Sequence, residues 1–236
     1  MRPLLMRLAL GAAMLLIAML AIAETPILVG AANAASGDVT VPQSALNSLI
    51  GEPDQHFHRA FDSYARGDAD SAASEIRAGA ALIRIEAGRG GAQDEAKLRT
   101  TASDLDTLAD NVVNGNVGSR RDLELAFAHA ELALASHYRS LADKALADKD
   151  RAGAARWLKA ASDCVDDAMA WTGQAPSGAQ AQASDQMHAL EAKIHTGANW
   201  TYDEARRGVG YLGTQIQDLG QQMQTFGNSQ SQGASH

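Results

Sequence analysis

The sequence predicts an all-α protein, an antiparallel bundle of about six or seven helices arranged as hairpins. No proline occurs between Pro53 and Pro176, and alanine, the strongest helix former, is abundant over the same span. Apolar residues recur there at spacings of three and four, whereas sustained strand-like alternation is missing. These observations favour amphipathic helices that pack closely through alanine.

A positively charged start and an apolar run give residues 1–23 the layout of a secretory signal peptide. Arg2 and Arg7 precede the run, which ends in the small residues Ala-Ile-Ala at 21–23. The run is shorter than the roughly 20 apolar residues of a membrane-spanning helix, although a retained anchor is the alternative. We therefore expect cleavage after Ala23, or after Ala34, and a periplasmic, secreted protein.

The composition of the chain argues against several classes of partner. The formal net charge is −8, and loss of residues 1–23 removes two arginines and no acid, which makes it −10. An acidic exported protein is a poor candidate for binding nucleic acid or an anionic membrane surface. Cys164 is the single cysteine, so no disulfide can form within the chain, although export permits one.

Shifts in composition divide the mature chain into four parts. Residues 24–52 contain much alanine, glycine, serine and valine with few charges, which is typical of a flexible leader. The helical hairpin domain follows at 53–175. Further helices at 176–226 are expected to pack on it, and a disordered tail is expected at 227–236.

Turn and capping residues predict where the helices begin and end. Pro53 suits a first helical turn, and Asp68 is placed to cap the second helix. Ser119 and Asp122 resemble a capping box at the start of the fourth. The last two helices are predicted at roughly 180–196 and 201–226. The turns between helices are predicted at Gly67-Asp68, 88–91, 114–118, Lys149-Asp150 and 172–178.

Two segments resemble each other, namely ARGDADSAASEIRAGAAL (65–82) and ADKDRAGAARWLKAASDC (147–164). In both, a short turn ending in aspartate leads to small residues and then to an apolar, a basic and an alanine residue. The pattern resembles a tetratricopeptide-type (TPR-like) helical hairpin, without the full signature of about 34 residues. It also resembles the YfdX-type exported helical bacterial proteins, which carry similar hairpins after a signal peptide. This resemblance implies an association with stress but no particular chemistry.

Motifs for common catalytic and cofactor sites are absent from the sequence. It contains no Cys-x-x-Cys-His, no phosphate-binding glycine loop, no His-Glu-x-x-His and no Gly-x-Ser-x-Gly. We therefore expect a non-enzymatic binding or interaction protein without a cofactor. The alternative is a helical bundle that binds a small ligand, a metal ion or haem.

The stretch HFHRAF (56–61) places two histidines two residues apart. In a helix, His56 and His58 point about 200° apart, because each residue turns the helix by about 100°. They then cannot chelate one ion, whereas an extended segment would permit it. Since Phe57 and Phe61 share a face that can enter the core, the pattern favours the start of a helix.

His188, Glu191 and His195 are the best candidates for metal ligands. Spacings of three and four place them on one helix face. The two histidines are about 10.5 Å apart along the axis, which is too far for both to bind one zinc ion readily. Glu191 and one histidine would need ligands from another helix. The alternative is a solvated polar flank.

Two further residues have a position that suggests burial. His137 lies on an apolar face between Leu134 and Leu141, which indicates a hydrogen-bonded core residue or a buried imidazole that titrates with the outside pH. Cys164 lies between Ala161 and Ala168 and is expected to be a buried, unreactive residue.

The last helix carries the most regular apolar pattern. Thr201 and Glu204 predict a capping box at its start, and glycines along it permit a close approach of other helices. Polar residues such as Gln215 are expected opposite the apolar positions. This 202–226 seam either docks on the protein's own bundle or serves self-association or a partner helix. Its positions are Tyr202, Ala205, Val209, Leu212, Ile216, Leu219, Met223 and Phe226.

Overall fold

The computed structural model describes residues 47–175, 178–196 and 198–233, with the backbone alone at 179 and 226–233. These residues form seven helices and no strand, which confirms the predicted all-α class. The predicted signal peptide and residues 24–46 of the predicted leader lie outside the described residues. The helices are α1 (Glu52–Ala65), α2 (Ala69–Ala87), α3 (Ala92–Val113), α4 (Arg120–Ala147), α5 (Arg151–Thr172), α6 (Ala179–His195) and α7 (Tyr202–Gly233).

The two segments that resemble each other in sequence share a turn in the structure. Gly67 and Lys149 both adopt left-handed backbone, with φ of 79° and 58°. An aspartate follows each of them and caps the next helix, where Asp68 accepts from the Ser71 backbone N–H at 3.0 Å. Asp150 caps α5 in the same way. The equivalence of the α1–α2 and α4–α5 turns therefore extends from sequence to backbone.

The two predicted capping boxes are also present. At the start of α4, the Ser119 backbone N–H donates to Asp122 Oδ2 at 2.8 Å. At the start of α7 the bonding is reciprocal, because the Thr201 N–H donates to Glu204 Oε2 at 2.7 Å and the Glu204 N–H donates to Thr201 Oγ1 at 3.1 Å. Each box satisfies backbone donors that the first helical turn leaves free.

The central helix of the described bundle is α4, which contacts α1, α3, α5 and α7. Its sequence shows one apolar face, yet the structure buries it on several sides. Alanines explain the difference, since Ala128, Ala130 and Ala135 are fully buried and let neighbouring helices approach closely. Leu141, predicted on the apolar face, is only partly buried.

Aromatic contacts fix α1 against this centre. Phe57 is fully buried and stacks on Phe127 of α4, with ring centroids 4.7 Å apart. Trp171 of α5 meets Phe127 edge-on at 5.2 Å. On the other side, Gly79 of α2 leaves no room for a side chain, since a Cβ there would lie 2.7 Å from the Phe57 ring. The predicted core role of Phe57 is confirmed.

The last helix is longer than its sequence predicts. Its backbone continues to Gly233, so residues 227–233, assigned above to a disordered tail, extend the helix. No proline follows to stop it. Residues 234–236 lie outside the described part. No helix in the described ranges is both long and apolar enough to cross a membrane.

Candidate functional site

The two histidines of HFHRAF are engaged with different carboxylates. His56 Nδ1 lies 2.6 Å from Glu75 Oε2 of α2, and Arg59 Nε donates to the same oxygen at 3.0 Å. His58 Nε2 lies 3.3 Å from Asp54 Oδ2 within α1. This stretch is the start of a helix, as its pattern indicates, and the two imidazoles do not converge.

The three candidate metal ligands line one cavity of about 360 Å³ beside α6. His188 is half-exposed, and its Nε2 lies 3.1 Å from Asp166 Oδ2 of α5. Glu191 is half-buried, and its Oε1 has no hydrogen-bond partner among the described residues. Lys159 also lines the cavity, and its Nζ donates to Asp163 at 2.7 Å.

The electrostatics of this cavity suit a polar ligand better than a metal ion. Burial raises the pKa of Glu191, although the Ser162 hydroxyl opposes the change. The hydrogen bond to Asp166 raises the pKa of His188, which favours its charged form and makes it a poorer metal ligand. Within the ranges described, no three His, Cys, Asp or Glu side chains are grouped so that they could hold a metal ion.

His137 lies in the core but lacks the hydrogen bond expected from its position. It is 1% exposed, and neither ring nitrogen has a hydrogen-bond partner in the described ranges. Its nearest carboxylate oxygen is Glu86 Oε2 at 3.8 Å, beyond hydrogen-bond distance. Arg89 accounts for this separation, because its Nη1 donates to the other Glu86 oxygen at 3.0 Å. Gly90 packs against the imidazole, and a Cβ at that position would lie 2.9 Å from the ring.

Glu86, Arg89, His137 and Tyr138 together form a buried polar cluster. Burial raises the pKa of Tyr138 well above its ordinary value, and its hydroxyl has no hydrogen-bond partner in the described ranges. The Arg89 guanidinium lies over the Trp157 ring, 4.6 Å from its centroid. The cluster is enclosed rather than open, so His137 is not presented to a ligand from solution.

Most of the described positions of the α7 seam are buried in the protein's own bundle. Leu212 is fully buried, and Val209, Leu219 and Met223 are 1–4% exposed, against α4, α5 and α6. Tyr202 and Ile216 are partly buried. These positions dock on the chain's own helices, and use of the seam in self-association or by a partner stays a prediction. Gln215, expected opposite the seam, is instead 5% exposed within the core.

Close approach of helices explains one of the glycines in α7. At Gly208 a Cβ would lie 2.9 Å from Leu190 Cδ2 and 3.2 Å from Met187 Sδ, both on α6. At Gly210 a Cβ would meet nothing within 4 Å. The predicted role of glycine in helix contact therefore holds at Gly208 but not at Gly210.

A groove between α3 and α4, with a volume of about 410 Å³, was not predicted from the sequence. Its floor is apolar, since Leu105 and Ala133 are 2% and 3% exposed and Ala126 is half-buried. Polar side chains form its rim, namely Lys97, Thr101, Asp104 and His129. The groove depends on the spacing between α3 and α4, which the pattern of residues along the chain does not determine.

Lys97 lies at one end of the groove and makes no ion pair within the described residues. Burial lowers its pKa, attraction to Asp94 opposes the change, and repulsion from Arg139 adds to it. Burial also lowers the pKa of His129, against the attraction of Asp104, and so favours its neutral form. An anionic group placed beside Lys97 would stabilise its ammonium.

No protein-family model, curated protein or solved structure matches this chain.

Proposed function

We propose that the protein is an exported, non-enzymatic interaction protein of the periplasm that binds a partner protein in the α3–α4 groove. The observation that carries the proposal is the groove itself, which combines an apolar floor with a lysine on its rim that has no ion-pair partner within the described residues. The resemblance to YfdX-type proteins adds a link to stress. The absence of common catalytic motifs from the sequence favours a binding role over catalysis.

The chemistry of the groove defines the segment that would fit it. Leu105, Ala126 and Ala133 offer a shallow apolar surface, which suits an amphipathic helix that lays apolar side chains into it. Lys97 and the nearby Arg139 favour a carboxylate at one end of that segment. A nucleic acid is a poor match, because the surrounding protein carries net negative charge. We therefore propose an amphipathic protein segment that carries acidic residues.

A photo-crosslinking experiment in the native host tests this proposal. A photoreactive amino acid at Thr101 in the groove is expected to give one discrete adduct with a partner protein. The same amino acid at Gln55, exposed on α1, is the matched control and is expected to give none. Charge reversal at Lys97 (Lys97→Glu) should abolish the adduct, whereas reversal at exposed Lys144 should leave it intact. Equal labelling from both positions, or no adduct at Thr101, would contradict binding of a partner in the groove.

Export is tested separately on the mature chain. Purified protein is expected to begin at Glu24 or Ala35 when its N-terminus is sequenced, and to fractionate with the periplasm. A chain that still begins at Met1 and stays with the membrane would show that the apolar segment is a retained anchor.

A second candidate function is binding of a small ligand or metal ion at the α5–α6 cavity. The unpartnered Oε1 of Glu191 favours it, because a buried acceptor without a donor is costly and a ligand could supply one. Metal analysis and a visible spectrum of protein from the native host provide the test. Stoichiometric metal that is lost in His188→Ala but kept in His56→Ala would support this function instead.

A further inference from the structure

Three acidic side chains from three helices approach one another where α1 packs on α4 and α5. Asp54 belongs to the first turn of α1, Glu131 to the middle of α4 and Asp167 to α5. We call these three residues the carboxyl cluster. Glu131 is 1% exposed, and its Oε1 has no hydrogen-bond partner in the described ranges.

The carboxyl cluster adjoins the contacts that hold α1 in place. Asp54 Oδ1 accepts a hydrogen bond from Trp171 Nε1 at 3.1 Å. The Trp171 ring also meets His58 and Phe61 of α1, with centroid distances of 4.5 and 5.7 Å. Any repulsion between the cluster residues of α1 and α5 therefore acts directly on the docking of α1.

Positive charge near the cluster is scarce. No lysine or arginine in the described ranges forms an ion pair with Asp54, Glu131 or Asp167, and Lys159 is engaged by Asp163. The groups that interact with Asp167 are Asp54 from α1, Glu131 from α4, and Lys159, Asp163, Cys164 and Asp166 from α5 itself. His58 of α1 lies beside Asp54.

Burial and mutual repulsion raise the pKa values of two carboxyl groups in the cluster. The pKa of Asp167 is raised to about 7, mainly by burial and further by repulsion from Asp54, Asp163 and Asp166. Burial raises the pKa of Glu131, which lies beside the Cys164 thiol, well above its ordinary value and so favours its protonated form. Asp167 is then the member whose charge changes across the physiological range.

We propose that the carboxyl cluster is a proton-operated device that tightens the docking of α1 at acidic pH and loosens it as the pH rises toward neutral. A carboxyl group whose pKa is raised in the docked state stabilises docking fully below its ordinary pKa, and this gain is lost as the pH rises through the raised pKa. Between pH 6 and 8, a docked-state pKa of about 7 reduces the ratio of docked to undocked α1 by up to about tenfold. Loosening would expose the aromatic surface of Phe127 and Trp171 to the compartment.

Hydrogen exchange of the full mature chain, corrected for the intrinsic effect of pH and read by mass spectrometry, tests the device. In the wild type, protection of the α1 peptide is expected to fall about tenfold from pH 6 to 8, while that of the α6 peptide stays constant. An equal change of protection in both peptides, or no change in the α1 peptide, would overturn the proposal. This result needs only the wild-type protein.

Variants then assign the effect to Asp167. Asp167→Asn should remove the pH dependence of α1 protection, because the amide cannot ionise. Asp62→Asn, an exposed change on α1 with the same loss of charge, should retain it. His58→Gln should also retain it, and this control separates the imidazole beside Asp54 from the carboxyl of Asp167. A fall that persists in Asp167→Asn, or that disappears in His58→Gln, would refute the assignment.

Discussion

Two glutamates, each about 1% exposed, differ in what surrounds them. Glu86 is paired with the Arg89 guanidinium, itself 7% exposed, so its negative charge is compensated inside the core. Glu131 has a thiol and two other acids nearby, and burial raises its pKa well above its ordinary value. One buried carboxyl is therefore paired with a cation, whereas the surroundings of the other favour its protonated form.

Replacement of each glutamate by glutamine separates these two states. Glu86→Gln leaves Arg89 as a buried cation without its counter-ion, and we expect a loss of about 3 kcal/mol in unfolding free energy at pH 7. Glu131→Gln resembles the protonated acid already present, so a change below about 1 kcal/mol is expected. Urea unfolding of both variants provides the measurement, and an equal loss in the two would contradict the assignment of charge.

Part of this residue-scale picture was accessible from the sequence. Glu86 lies three residues after Ile83 on the apolar face of α2, so its burial was detectable from spacing alone. Its partner Arg89 is three residues further on and is also local, but the packing of that guanidinium on Trp157 was not detectable, because it joins segments far apart in sequence. The sequence likewise identified His137 as buried and left two alternatives open, of which the hydrogen-bonded core residue is not what the structure contains.

At the scale of helices, the capping box of α7 contributes stability that depends on pH. Hydrogen bonds from Lys193 and from the Thr201 backbone lower the pKa of Glu204 to about 2. A carboxyl with a depressed pKa stabilises the fold above its ordinary pKa, and the contribution is lost as pH falls toward the depressed value. The capping contribution should thus be present at pH 7 and vanish near pH 2.

Glu204→Gln is accordingly expected to lower the melting temperature at pH 7 and to have little effect near pH 2. Thermal unfolding followed by circular dichroism checks the difference. Asp203→Asn removes the same charge from the same turn without a capping contact, so it should change the melting temperature less. If both variants behave alike, general charge rather than the cap is responsible.

Burial of the α7 seam changes what substitutions there should do. Leu212→Asp/Ile216→Asp places two carboxylates against α4 and α5, and we expect cooperative unfolding of the whole bundle, with a loss above about 4 kcal/mol. Thr214→Asp/Gln217→Asp adds the same charges on the exposed side of the helix and should leave it folded. A folded Leu212/Ile216 variant with altered assembly would restore the partner interpretation.

Sequence patterns located all seven helices, with differences at their ends. Caps and glycine turns are local features, so their positions followed from neighbouring residues. The end of α7 did not follow from neighbouring residues, since no proline stands after residue 226 to stop the helix. The choice between docking and self-association also required the structure, because an apolar seam has the same spacing in either case.

At the scale of the molecule, α4 joins the helices that come before it to those that come after. A break in α4 should therefore disrupt every layer. Leu134→Pro is expected to unfold the protein, because proline inside a helix costs about 3 kcal/mol or more and Leu134 is 1% exposed. Circular dichroism should show loss of most helical signal.

Arg120→Pro is the matched control in the same helix. Arg120 is the first residue of α4, where proline is tolerated, and the extended backbone of Ser119 suits a residue before proline. This variant should remain folded. Unfolding of both variants would point to loss of an Arg120 contact, whereas folding of both would contradict the central role of α4.

The all-α class was accessible because it follows from composition and local spacing. The groove between α3 and α4 was not, since it depends on which helices pack most closely, and α3 contacts α2 more extensively than α4. Binding surfaces of this kind arise from the arrangement of helices rather than from a motif.

The central position of α4 determines when the core can be completed during synthesis. Its buried surface is shared with α1 and α3, which are made earlier, and with α5 and α7, which are made later. A nascent chain that ends before α7 still exposes the part of the α4 surface that α7 covers in the folded protein. The core is therefore completed only when the C-terminal helix has been made.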